Sequence, residues 1–571
     1  MLKVELNSLI SLNEKIKMKS HAHHLIKTLA VVSIIAAVTT PALAEEEGVT
    51  QAVCQQSIDP ALFSSAEHLR ELTATVAGFG LRSTGSEAHE DNISWIAREF
   101  SKLPGFTTKE DFIDIQRWQP SPVADNGKGR SLEKAARVTL STTRDGNIEI
   151  AVAGAVPYAL PTVEKASTGE LVYFKDPSEI TKERASGKIV IVDVPDPGIP
   201  NAVLLALSRY FTDDLWSSTF ESYKRPAMWT GTPLAKILTD AGIAGAAGVI
   251  VAFDLPRAQV AGYFDPHDGT HFTVPAAYVG VDEGLMLKAA AANGGKASIS
   301  IDAVRDEART RNLIATLPGL SKEKIIFSTN TDGNTWVQEN GNAGLMALAE
   351  YFSRLPVACR PRTLEFAFGS AHLHMSREGT QLYANEMNRD YDRGEVVFAF
   401  AVEHLGTREI LPVERSNGPG KELKFTGEGE VMGWFVGPSD ALIQASINAI
   451  QKHSLDKVMV LRGEGIPNPM RSPSFCSFGG LGGSFHGNLI PTIAIISAPW
   501  SLWAPSFGEQ AVDFERMRNQ LLSIGDATLE LAAKPASEIA GDYMAERQRR
   551  ADGAKTCAMK TRPEQAPASS P

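Results

Sequence analysis

The sequence predicts an α/β protein: a mixed sheet flanked by helices and interrupted by an α+β insert. Three observations lead there. The apolar runs Ile325–Thr329, Leu364–Gly369 and Val396–Val402 are separated by helical and connecting stretches, so they should lie parallel with their C-terminal ends on one edge. Between about Gln119 and Asp302 the texture changes to short β runs and long polar loops, then returns to α/β order. At 571 residues the chain exceeds the size at which one core stops growing, which predicts two to three domains.

Taken in order, the chain opens with lysines at 15, 17, 19 and 27, followed by an uncharged run from Thr28 to Ala44 that closes on Ala42-Leu43-Ala44. This is the pattern of a secretory signal. The run contains Pro41 and falls short of the roughly 20 apolar residues of a membrane span, so cleavage after Ala44 is expected. Met18 could equally be the start. The whole chain carries a formal charge of −11, and loss of the signal leaves −14. With no lysine/arginine cluster or aromatic-interleaved basic stripe, a nucleic-acid partner is excluded. The expected location is periplasmic or secreted, with no stable membrane span after cleavage. In that oxidising setting Cys54, Cys359, Cys476 and Cys557 predict two bridges, or one bridge and two free thiols, and three connectivities are open.

Ala66–Val76 and Asp91–Leu103 have helix spacing, with the glycine- and serine-rich loop Gly80–His89 between them, and Thr108–Ile115 alternates like a strand. The 119–302 insert holds strands near Val138, Ile148, Lys188, Val249 and Ala276, and helices Pro233–Ala241 and Glu283–Ala292. Its Asp254–His271 segment carries two histidines and three aspartates. Irregular spacing and glycines make it a solvated loop. Residues 45–118 and 303–535 form the main domain. There Gly341–Arg354 is an amphipathic helix, Ile490–Ser497 a buried strand, and Phe514–Leu531 a long helix that seals the fold. Residues 536–571, rich in alanine, proline and charge, read as a frayed tail.

Chemistry-bearing residues collect after the three runs. Asn330, Asp332 and Glu339 follow the first, His372 and His374 the second, Glu403 and His404 the third. Open α/β sheets bind ligands at that edge, and three carboxylates with three imidazoles have a metal-site or acid–base composition. On an extended segment His372 and His374 point the same way. Glu403 ends an apolar run, so its burial demands His404, Arg408 or a cation as partner. His486, in a glycine-rich loop, is a candidate acid–base. Glu378 and, more weakly, Glu464 are carboxylates that could stand in as base. The absence of a G-x-S-x-G elbow or an H-E-x-x-H helix argues against a serine esterase or a gluzincin.

These phrases resemble the co-catalytic zinc exopeptidases, the family of bacterial leucyl aminopeptidases and the glutamate-carboxypeptidase/transferrin-receptor group. Gly80–Ser86 resembles the family's opening G-x-R-x-x-G-S, and Arg311–Gly319 the phrase that re-enters the catalytic domain. The insert, with Ala246–Val251 and Val274–Tyr278, is similar to a protease-associated domain. The site phrases depart from the pattern. The His-x-Asp becomes Asn330-Thr331-Asp332, so the imidazole is replaced while the orienting carboxylate remains. The bridging Asp becomes Glu339. The Glu-Glu pair falls on Ala371 and His372, or on Leu373 and His374, depending on the direction of counting. The ligand Asp becomes Glu403, and the last His phrase reads Trp500–Pro505 without an imidazole.

The resemblance therefore implies at most one zinc or other divalent metal, drawing on Glu339, His372, His374 and Glu403. Asn330, Asp332 and His404 would stand behind them, and His486 or Glu378 would move the proton. Two functions stay open: an atypical hydrolase of peptide or amide bonds, and an inactive pseudo-peptidase that binds a peptide, a small amide-containing ligand or a protein partner.

Overall fold

The computed structural model describes residue 54 and residues 57–554, apart from 123–128, 143–145, 163–164, 196–204, 206–207, 216–230, 267–270, 339, 375–377 and 463–477. The signal segment, Cys476, Cys557, Glu339 and Glu464 lie outside the described residues.

Two helices come first, α1 (Ala66–Gly78) and α2 (Glu87–Lys102), each capped by a serine whose hydroxyl accepts a backbone N–H, Ser65 from His68 and Ser86 from His89. The main sheet contains nine described strands. In chain order they are β1 (Thr107–Pro120), β2 (Ser208–Phe211), β3 (Ala303–Leu317), β4 (Ser321–Asn330), β5 (Arg362–Gly369), β6 (Val396–Val402), β7 (Met432–Val436), β8 (Val458–Arg462) and β9 (Thr492–Ser497). Their order across the sheet is β1-β3-β5-β4-β6-β9-β7-β8-β2. The central four, β5, β4, β6 and β9, run parallel. Every residue of β5 and β6 is buried, as expected of strands covered on both faces. The predicted parallel arrangement is therefore the observed one, and Gly369, Asn330, Val402 and Ser497 end on a common edge.

Helix α3 (Gly341–Arg354) starts directly behind that edge. A Cβ on Gly341 would collide with Thr329 Oγ1 and the Val402 carbonyl, so only glycine lets the helix begin against β4 and β6. Helix α4 (Glu378–Asp392) follows β5, and α5 (Asp440–Lys452) joins β7 to β8. The six-residue helix α6 (Gly482–Gly487) precedes β9, and α7 (Phe514–Ala532) buries Met517, Leu521, Ile524 and Leu531 in the core. Cys54 is joined to Cys359, tying the N-terminal segment to the turn before β5.

A second sheet has eight described strands, all of them from residues 136–301. Its chain leaves and rejoins the main sheet at one place, because Pro120 at the end of β1 is paired with Ala303 at the start of β3. One segment of this region does not stay with it: β2 crosses to the outer edge of the main sheet and pairs with β8.

The stretch from residue 536 is not a frayed tail over its described part. It forms α8 (Ala536–Ala540) and α9 (Tyr543–Ala551), with Ile539, Tyr543 and Arg547 buried. Scattered anchors hold it, and composition does not register those. Among the described residues, no helix is long and apolar enough to cross a membrane.

Candidate active site

The loop after β4 is built around Asp332. Its carboxylate is fully buried and accepts from Thr84 Oγ1, from the Leu373 amide at 2.7 Å and from the His372 amide at 3.2 Å. Burial raises its pKa, and these donors pull the other way. Asp332 therefore fastens three chain segments together: the Gly80–Ser86 loop, the end of β4 and the loop after β5. His89 stands beside it, fully buried, with Nε2 2.7 Å from Thr331 Oγ1. Burial lowers the His89 pKa to about 3, so it is neutral.

This anchoring changes the histidine pair. Ala371 adopts φ +67, a left-handed conformation that ends the extended backbone on which a shared direction was expected. His372 stays half-buried, while His374 is buried and its Nε2–H donates to the Gln116 carbonyl at 2.8 Å. The two imidazoles have different surroundings.

Glu403, at the end of β6, is 2% exposed. Its Oε1 accepts from the Leu481 amide at 2.9 Å, and its Oε2 lies 3.7 Å from His404 Nε2. His404, at φ +56, donates from Nδ1 to the Ser497 carbonyl at 2.6 Å. Its ring is thus fixed with Nε2 turned to the carboxylate. Gly480 passes so close to Glu403 Oε1 that a Cβ there would collide with it. Arg408, considered as a partner, pairs instead with Asp513 at 3.1 Å, because strand Arg408–Glu414 carries it off the crevice into a separate hairpin.

His486 is 1% exposed and lies in α6 rather than in an open loop. Phe478 stacks on its ring at 4.4 Å, and its Nδ1 is 2.6 Å from the Tyr543 hydroxyl. Its described contacts are thus a ring stack and a hydrogen bond within the scaffold. Glu378 begins α4, and its side chain lies outside the described atoms.

Among the described residues, no group of three His, Cys, Asp or Glu side chains could hold a metal ion. The donors explain this: Asp332 is committed to backbone amides, His374 to a carbonyl, and Glu403 to an amide and His404.

Beside these ionisable groups the edge carries neutral polar side chains. Asn330 Oδ1, Gln338 Nε2, both side-chain polar atoms of Asn342, Trp500 Nε1 and Ser501 Oγ are buried without a hydrogen-bond partner among the described residues. Such groups are costly to bury unpaired, so this edge retains hydrogen-bonding capacity for a polar ligand or for water. Asn342, Gln338 and Ser501 escaped sequence reasoning, which looked for charge. The only signal for them was their position beside the strand ends.

No family model matches the chain, and no curated protein matches it. Solved structures do. A peptidase M28 precursor from Shewanella amazonensis SB2B is 15% identical with a TM-score of 0.56, over 83% of this chain and 94% of that one. The zinc aminopeptidase BSAP from Bacillus subtilis is 14% identical with a TM-score of 0.53, over 83% and 97%. An aminopeptidase from Aneurinibacillus sp. strain AM-1 is 16% identical with a TM-score of 0.50, over 84% and 97%. The chain shares its zinc-exopeptidase-like mixed α/β fold with these proteins.

Proposed function

We propose that the chain is an exported peptidase-like hydrolase of peptide or amide bonds, taking its ligand at the C-terminal edge of β5, β4, β6 and β9. Residues 1–44 are its signal and 119–302 a protease-associated insert. The observation that supports activity is the Glu403–His404 pair. It is a buried carboxylate facing an imidazole nitrogen, held at a strand end by Leu481, Gly480 and Ser497. With Nδ1–H committed to the Ser497 carbonyl, the Nε2 position is the one at which His404 gains or loses a proton. Glu403 is placed to hold that proton or to take one from water. Asn330 Oδ1 and the Asn342 amide, unpaired among the described residues, would orient the scissile group by hydrogen bonds.

The test is turnover by the mature chain of aminoacyl and N-acylated amides, with and without chelator, alongside metal analysis and a Glu403→Gln variant. Turnover lost in the variant supports the reading. Wild-type protein no faster than Glu403→Gln on every substrate refutes it.

A second reading, a pseudo-peptidase that binds without cleaving, is favoured by one observation: Asp332, His374 and His486 are all spent on scaffold contacts. Calorimetric binding of a peptide that emerges uncut would establish it.

A further inference from the structure

The turn that carries His404 is held by side chains from three separate elements. His404 adopts φ +56 and Gly406 φ +63, so the chain leaves β6 through two left-handed residues within three positions. A left-handed histidine costs on the order of 1–3 kcal/mol and persists only where its surroundings over-determine it. Asn340, buried at the start of α3, meets both polar groups of the Leu405 backbone. Its Oδ1 accepts from the Leu405 amide at 2.8 Å, and its Nδ2 donates to the Leu405 carbonyl at 2.7 Å. Gln520, buried on α7, accepts from the Gly406 amide at 2.7 Å through Oε1. The Asp513 amide donates to the Gly406 carbonyl at 2.6 Å, and a Cβ on Gly406 would collide with the Asp513 carbonyl.

The third support comes from β9. Ser497 Oγ donates to the His404 carbonyl at 3.1 Å, so the Thr407 hydroxyl, 2.6 Å away, is the donor to Ser497 Oγ. The Ser497 carbonyl accepts from His404 Nδ1 at 2.6 Å. These bonds act on different parts of the turn. Ser497 orients the ring directly. The Asn340 and Gln520 bonds go to the two residues after His404 and set the backbone from which the ring projects. Relaxation of that backbone to an ordinary negative φ would re-aim the His404 side chain and carry Nε2 away from Glu403.

We propose that Asn340 and Gln520 are positioning residues for the reaction: they hold the turn after β6 in the backbone conformation that aims His404 at Glu403. The inference rests on the hydrolytic role of that pair and adds the residues that orient it. A positioning role lowers turnover without weakening ligand affinity, because these bonds are made to the chain and not to the ligand. A merely structural role lowers the melting temperature and the amount of folded protein, and leaves kcat per folded molecule unchanged.

The test compares the mature wild-type chain with Gln520→Met, Gln520→Glu and Asn340→Leu, with kcat and KM measured per folded molecule. Gln520→Met keeps the length of the side chain and removes the acceptor, whereas Gln520→Glu keeps both. In Gln520→Met and Asn340→Leu, kcat should fall about 10²-fold with KM within about twofold, and Gln520→Glu should recover most of that loss. A second measurement reads the geometry without turnover. The ring N–H of His404, assigned through His404→Gln, should give a slowly exchanging resonance in the wild type and in Gln520→Glu but not in Gln520→Met. Should Asn340→Leu fail to fold, the two Gln520 variants carry the test. Unchanged kcat in the variants, or a resonance that persists in Gln520→Met, overturns the positioning role alone. A wild-type chain no faster than Glu403→Gln overturns it together with the function it serves.

Discussion

The hydroxyl of Tyr543 lies 2.6 Å from Nδ1 of His486, which joins the C-terminal helix α9 to the segment that precedes β9. That segment also supplies the Leu481 amide that holds Glu403. Arg547, one turn further on, donates to the carbonyls of Asn488 and Leu489 at 3.1 Å each. The end of the chain thus fastens the wall of the crevice.

Tyr543→Phe should therefore lose about 1 kcal/mol of stability through one hydrogen bond. Tyr543→Ala should lose about 3–5 kcal/mol, the cost of an emptied aromatic site. Urea unfolding of the two variants measures the difference, and equal, negligible effects would show that α9 is only loosely attached.

Glu403→Gln keeps an oxygen for the Leu481 amide but cannot hold a proton as a carboxylate does. The expected fall in kcat/KM is about 10²–10⁴-fold with little change in melting temperature. A large loss of stability would instead assign Glu403 to the scaffold.

Gly341→Ala places a methyl group against Thr329 Oγ1 and the Val402 carbonyl, where neither backbone nor strand end can yield cheaply. A loss of about 1–3 kcal/mol is expected, read from denaturant midpoints.

His89 has a folded-state pKa of about 3, below the ordinary value of 6.5, because it is buried beside Arg82 and Arg311. Its contribution is complete above about pH 6.5, where folded and unfolded chains are both neutral at this site. It is lost as pH falls from there toward 3, because the unfolded chain takes up the proton first. A His89→Gln variant should show a shallower fall of melting temperature between pH 6.5 and 4 than the wild type. An unchanged slope would assign the acid sensitivity elsewhere.

The Cys54–Cys359 bridge spans a sequence separation of 305. Replacing both by alanine should cost about 2–5 kcal/mol, measured in unfolding experiments without reductant.

The parallel core was legible because buried strands announce themselves as unbroken apolar runs with polar residues at their ends, as in Val396–Val402 and Glu403. The helix over Gly341–Arg354 was legible from its periodicity. The site was less so, for three physical reasons. Pairwise direction along a strand predicts nothing once a residue such as Ala371 turns left-handed. A docked terminal helix anchored by Tyr543 and Arg547 leaves no broad apolar stripe. Tyr158 reaches Leu373 across 215 positions of sequence, a contact that no local pattern encodes.

The Pro120–Ala303 pairing has an evolutionary meaning. A module whose two ends emerge side by side can be spliced into a hairpin without disturbing the ladder beneath it, and in principle removed at the same seam. Here removal would strip away more than an appendage. It would take with it the tyrosine that holds the loop after β5 and the strand that covers the far rim of the main sheet.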